Sequence, residues 1–211
     1  MKDAEGISFD LDDVLIDTES NLNWLHKSFK KTLAEYGIDS SQENLKKFHS
    51  KNLHRFDMVS KEFGVKPEEL WETRNGNYIK EKIKAMKNRE LIPFPDVNSL
   101  YKLKGSYGLT IVSDSPQEVV EFFIGEFNYE DLFDFGIGRG SKFEDLKKLK
   151  PAAHPFKKLK GIIQYDKIIY VGDSEKDREF AENTGMEFIL LSRAEDKGFN
   201  SLDAIVDYLL S

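Results

Sequence analysis

Ile7-Ser8-Phe9-Asp10-Leu11-Asp12-Asp13-Val14-Leu15-Ile16-Asp17-Thr18-Glu19 is the stretch on which the reading of this chain turns. A short apolar run ends abruptly in three carboxylates, Asp10, Asp12 and Asp13. The run reads as a buried strand. Asp10 and Asp12 then stand at its C-terminal end, where open α/β sheets place their ligands. Carboxylates this close repel and raise one another's pKa unless a cation neutralises them. The pattern points to a divalent-metal site with one carboxylate free to act as a nucleophile. A polar turn after a strand offers the same residues, since Asp is common in turns and at helix N-caps. The rest of the chain weighs for the site.

The 211 residues allow one substantial domain, or one with a smaller insert. There are no cysteines, which excludes disulfides, thiolate zinc cages and thiol chemistry. No apolar run is long enough to span a membrane. Met1-Lys2-Asp3-Ala4-Glu5 lacks the pattern of a signal peptide, so a cytoplasmic location is expected. The net charge of −7 argues against nucleic acid as the main partner. A bound metal and a few local cations would reverse that sign inside an anion site. None of the four histidines is spaced as a metal pair on one helix face.

Working outward, Leu22, Leu25, Phe29, Leu33 and Tyr36 recur at helical spacing, and Gly37 ends that helix. Ser40 with Glu43 reads as a capping box opening a second helix. A third covers residues 55–63 and stops at Gly64. Pro67-Glu68-Glu69 opens a fourth, which Asn75-Gly76-Asn77 is expected to interrupt. It resumes over 78–88, where the lysines read as a solvated face. Residues 16–93 thus form an all-helical insert, and Pro93-Phe94-Pro95 returns the chain to the core. A helix is predicted over 97–103. Strands are predicted over 109–112, 133–137, 167–171 and 187–191, with helices over 116–126, 156–163, 175–183 and 202–210. That alternation predicts an α/β fold: a Rossmann-like parallel sheet covered by helices on both faces, comprising residues 1–15 and 94–211. The glycines of Gly136-Ile137-Gly138-Arg139-Gly140 are expected to provide turns.

Ser113 ends the second core strand, where its hydroxyl can hold a phosphate oxygen or cap a helix. Ser115-Pro116-Gln117-Glu118 already has a capping-box signature, which assigns Ser115 the cap and leaves Ser113 free. A transferring phosphoryl group also needs a cation, but composition alone selects none of the lysines. Asp173 follows a strand and Gly172, at a place where a metal would sit. Asp177, four residues on, suits either metal binding or a capping box with Ser174.

These motifs, in this order, resemble those of the haloacid dehalogenase-like superfamily, in its phosphatase and phosphomutase branch with a helical cap. Phe9-Asp10-Leu11-Asp12-Asp13-Val14-Leu15 is similar to the first motif, with Asp13 where Gly is usual. Ser113 matches the second, with Asp114 where Asn is usual. Lys150-Pro151 resembles the third, with Lys142 as a rival. Gly172-Asp173 and Asp177 match the fourth. The resemblance implies Mg²⁺-dependent hydrolysis of a small phosphomonoester through an aspartyl-phosphate. Asp10 would be the nucleophile and Asp12 the acid and base. Asp10, the Asp12 backbone carbonyl, Asp173 and Asp177 would hold the metal. Ser113, Asp114 and Lys150 would bind the phosphoryl group. Residues 16–93 would be the cap, with Arg55 or His54 meeting a second anionic group of a phosphorylated metabolite. A phosphomutase of the beta-phosphoglucomutase type, or an inactive ligand-binding relative, would share these residues. Monomer and homodimer stay open.

Overall fold

The computed structural model describes residues 5–163, 165–193 and 197–211. Five strands, β1 (Glu5–Phe9), β2 (Gly108–Pro116), β3 (Phe135–Arg139), β4 (Lys167–Gly172) and β5 (Glu187–Leu190), pair in parallel in the order β3-β2-β1-β4-β5. β1 is central. The chain runs outward from it on both sides, so the crevice at its C-terminal end is the topological switch point.

Side chains alternate between the two faces of the sheet, as the period of two requires. Ile7, Phe9, Leu109, Ile111, Ile169 and Val171 pack in one layer with α5 (Gln117–Glu126), α8 (Leu202–Leu210) and a 3-10 helix over Pro95–Leu103. Val112, Ile168 and Tyr170 pack in the other with α6 (His154–Ile162) and α7 (Glu175–Thr184). Both faces are covered, which is why these strands read as continuous apolar runs.

Between β1 and β2 lie α1 (Asn23–Glu35), α2 (Gln42–Lys47), α3 (Phe56–Phe63) and α4 (Pro67–Lys87), with a 3-10 helix over Ser50–Arg55. The chain leaves the sheet and returns at one place. Ile16 and Pro93 form an antiparallel bridge, and the Phe94 N–H donates to the Leu15 carbonyl at 3.0 Å. Phe29, Leu33, Leu45, Phe48, Phe56, Leu70 and Trp71 give the helices a buried cluster of their own. Gly37 and Gly64 end their helices with φ of +64° and +67°. At such values a Cβ is strained.

Four local expectations are corrected. The cap of α2 is Ser41, not Ser40. Ser115 caps nothing: β2 runs through Pro116 and α5 starts at Gln117. The glycines of β3 serve close packing rather than turns. A Cβ on Gly136 would meet the Val120 side chain at 2.4 Å, and one on Gly138 the Gln117 backbone at 2.6 Å. Finally, α4 runs unbroken through Asn75-Gly76-Asn77. Asn77 donates to Glu35 Oε1 of α1 at 2.8 Å, and Asn75 Oδ1 accepts from Arg139 at 2.5 Å. With tertiary partners, these amides no longer compete for the helix backbone.

Gly76 does not take a positive φ, and a Cβ there meets nothing within 4 Å. Gly76→Ala is therefore expected to stabilise the chain by about 1 kcal/mol, raising Tm by roughly 2–4 °C. A lower Tm in thermal unfolding would contradict an unbroken α4.

Candidate active site

The C-terminal ends of the strands bring the acidic residues together. Asp10 follows β1, with its N–H donating to the Val171 carbonyl of β4 at 2.9 Å. Asp173 follows β4, and Asp177 sits in the first turn of α7. Carboxylate oxygens of Asp10, Asp173 and Asp177 all lie within 4.8 Å of one another.

Lys150 stands among them, almost fully buried. Its ammonium lies 2.9 Å from Asp10 Oδ2 and 2.5 Å from Asp177 Oδ1, and donates to the Tyr170 hydroxyl at 2.9 Å. Tyr170 in turn donates to the Val112 carbonyl at 2.8 Å, tying β4 to β2. Asp114 accepts the Lys150 backbone N–H at 2.9 Å and pairs with Lys176. It anchors the loop that presents Lys150. Ser113 is buried, and its Oγ accepts the Ser115 N–H at 3.1 Å. The hydroxyl proton remains available for donation.

Burial pushes the Asp10 carboxyl up to about 7, with Asp177 and Asp12 repelling it and Lys150 pulling the other way. Burial also lifts Asp173 to about 8, helped by Asp10 and Asp177. Burial acts upward on Asp177 too, yet Lys150 and the hydrogen bonds from Lys150 and Ser174 hold it below the usual value. Asp177 does form the capping box with Ser174, so its oxygens already serve α7 and Lys150. Three carboxylates against one ammonium leave two negative charges when all are ionised. Oxygen donors with that residual charge fit a hard divalent cation.

Asp12 is held differently. Its Oδ1 pairs with Lys82 of α4, and its Oδ2 accepts from the Ser115 hydroxyl at 2.7 Å. Lys82 also donates to Ser115 Oγ at 2.8 Å and to the Tyr78 hydroxyl at 3.3 Å. Burial pulls the Lys82 ammonium down, but Asp12 and Tyr78 more than offset this and its pKa stands above the ordinary lysine value. Asp13 takes φ of +60°, which Asp tolerates better than most residues. Its carboxylate accepts from the Thr18 and Glu19 N–H groups at 2.9 and 3.0 Å, closing the loop after Asp12.

His54 and Arg55 lie exposed on the 3-10 helix, and no contact among the described residues joins them to this cluster. Lys142 instead begins the 3-10 helix over Phe143–Lys148, and its backbone N–H donates to Asp145 at 3.1 Å. Sequence reasoning missed Ser115, Tyr170 and Lys82. The lysine pattern groups Lys82 with a solvated face, yet it is fully buried. A signal existed: Trp71, Arg74, Tyr78, Lys82 and Ala85 recur at spacings of three and four, one stripe of the helix.

A family model for haloacid dehalogenase-like hydrolases matches residues 7–191. The chain belongs to that family, and it is an enzyme of the hydrolase class. No curated protein sequence matches it. Solved structures share the fold. A predicted phosphoglycolate phosphatase from Haemophilus somnus has a TM-score of 0.70 at 23% identity, covering 99% of both chains. A haloacid dehalogenase-like hydrolase from Bacteroides fragilis has a TM-score of 0.67 at 21% identity, over 97% of this chain and 100% of the other. CbbY from Rhodobacter sphaeroides, solved with phosphate, has a TM-score of 0.66 at 16% identity, over 97% and 99%.

The folded chain binds the Asp10 and Asp173 protons more tightly than the unfolded chain does. Their contribution to stability is present at low pH and is lost as pH rises through about 7 to 8. In chelator, Tm is therefore expected to fall between about pH 5 and 8, and Asp173→Asn to reduce the fall. Millimolar Mg²⁺ is expected to flatten it. Identical profiles with chelator and with Mg²⁺ would count against a cation at this cluster.

Proposed function

We propose that this hydrolase is a Mg²⁺-dependent phosphatase acting on small phosphomonoesters through an aspartyl-phosphate. The observation that carries the reading is the pairing of two carboxylates two residues apart in opposite settings. Asp10 faces Lys150 and the acidic cluster, while Asp12 faces Lys82 and Ser115. Ser113, Lys150 and Asp173, from the neighbouring strand ends and loops, support the reading.

Asp10 and Asp173, with the Asp12 backbone carbonyl, would hold the cation. Asp177 supports the site through Lys150. The bound cation would screen the charge on the phosphoryl oxygens and on Asp10. Lys150 and Ser113 would bind the remaining phosphoryl oxygens by an ammonium and a hydroxyl donor. Asp10 attacks phosphorus and the ester oxygen leaves. Asp12 gives that oxygen a proton, then takes one from the water that attacks the aspartyl-phosphate. Lys82 and Ser115 orient Asp12 for both steps. Residues 16–93 serve as a cap, since Lys82 can meet Asp12 only with α4 seated over the sheet edge. Seating it would also exclude bulk water. Asp114 acts through the Lys150 loop rather than on the phosphoryl group.

Phosphate release from a panel of phosphomonoesters tests the reading. Release is expected with Mg²⁺ and not with chelator, and Asp10→Asn is expected to abolish it. Asp12→Asn should lower kcat by about a hundredfold or more. Lys82→Met should lower kcat more than it alters KM and should shift the pH profile, because it acts through Asp12. A folded chain that binds Mg²⁺ and releases phosphate from no panel member would sink the proposal.

A further inference from the structure

Beyond Lys82, the inner stripe of α4 carries a second positive feature that the phosphoryl chemistry does not use. Arg74 lies eight residues before Lys82, about 12 Å along the helix axis. It is 3% exposed. Its guanidinium sits over the rings of Phe29, Trp71 and Tyr78 at 5.3, 5.2 and 5.7 Å. One N–H donates to the Phe48 carbonyl at 2.6 Å, and Nε has no partner among the described residues. Arg139, at the C-terminal end of β3, stands over the same Trp71 ring at 4.9 Å. Among the described residues its donors reach the neutral Asn75 Oδ1 and the Gly140 carbonyl.

Neither guanidinium has a carboxylate partner among the described residues. The arginine ion pairs among the described residues are those of Arg89, Arg178 and Arg193. Asp114, Glu118 and Asp145 attract Arg139 from farther away, and each is engaged elsewhere, by Lys176, Ser141 and Lys148. Burial and the nearby Arg139 push Arg74 down to about 9. A buried cation without an anion is costly to keep.

The strip leads back to the reacting centre. The Tyr78 ring beside Arg74 lies 5.2 Å from the Trp24 ring, and the Tyr78 hydroxyl contacts Lys82, which holds Asp12. Trp24 Nε1 is likewise buried and unpartnered. Two of the three such nitrogens among the described residues therefore flank Tyr78. The Asp12 side chain, at one end of this strip, is 28% exposed.

We propose that Arg74 and Arg139, both set over the Trp71 ring, bind a second anionic group of the substrate, a carboxylate or a second phosphate. The preferred phosphomonoester is then a bis-anion whose leaving group extends from Asp12 past Tyr78. This rests on the phosphoryl site at Asp10 and Asp12. It moves recognition of the second anion away from the exposed His54 and Arg55. Guanidinium forks suit this task, since both groups present two oxygens to a planar pair of donors.

The test uses size-matched pairs: phosphoglycerate against glycerol phosphate for the carboxylate, and fructose bisphosphate against fructose monophosphate for the phosphate. The full chain is expected to prefer at least one bis-anion by about tenfold or more in kcat/KM, mainly through KM. Arg139→Gln and Arg74→Gln are each expected to remove that ratio. Arg139 is the less buried of the two, so its variant keeps the test open if Arg74→Gln does not fold. Equal use of both members of each pair, or a preference that Arg139→Gln retains, overturns the assignment. Calorimetric titration of the same compounds into Asp10→Asn separates the two proposals. Selective binding lost with the added Arg139→Gln supports the anion site even where no compound is hydrolysed. Unselective binding overturns it whether or not phosphate is released.

Discussion

One ammonium holds the C-terminal edge of this sheet together. Lys150 is buried where the ends of β1, β2 and β4 meet, and it touches Asp10, Asp177 and Tyr170 at once. Without it the carboxylates would face one another as like charges in a buried setting, and burial would keep them protonated. A buried pair of this kind adds little net stability as a pair, but losing one partner costs about 3–5 kcal/mol because the other is stranded. The exposed Lys167–Glu187 pair at the far end of the sheet carries no such consequence. The loop that supplies Lys150 is itself pinned by Asp114, and Asp177 is pinned by the start of α7. The positions of the site and of the surrounding elements are thus mutually dependent.

A second ammonium does for the helical segment what Lys150 does for the sheet. Lys82 is the point where α4 meets the strand ends, through Asp12 and Ser115. The two lysines divide the paired aspartates: Asp10 belongs to the sheet cluster and Asp12 to the contact with α4. Chemistry at one can therefore be coupled to the seating of the helices at the other. The same α4 stripe continues to Trp71 and Arg74, so the proposed route for the leaving group follows a single helix face.

Much of this was legible in the chain. The strand ending in Asp10, the strand ending in Gly172-Asp173 and the helical periodicity from Leu22 onward are local patterns, and local sterics and periodicity dominate there. The misreadings share one cause. Asn75-Gly76-Asn77 breaks an isolated helix, but Glu35 and Arg139 satisfy the two amides from distant parts of the chain. Ser115-Pro116-Gln117-Glu118 is a sound cap by local rules, yet Ser115 is drawn into β2 and toward Asp12. A run of lysines is solvated by default, unless a carboxylate about seventy residues away is waiting for one of them, as Asp12 is for Lys82.

The sequence by itself determined the parallel α/β core, the helical character of the segment between its first two strands, and the carboxylates at the strand ends. Apolar period, breaker residues and strand-terminal acids act over a few residues, so they can be read without a partner. Only the tertiary structure decided which lysine meets which aspartate, which serine caps and which reaches the site, and which arginines are left buried without a counter-charge. Those outcomes depend on long-range pairing, where the energy of a charged or polar group is set by what the fold places opposite it.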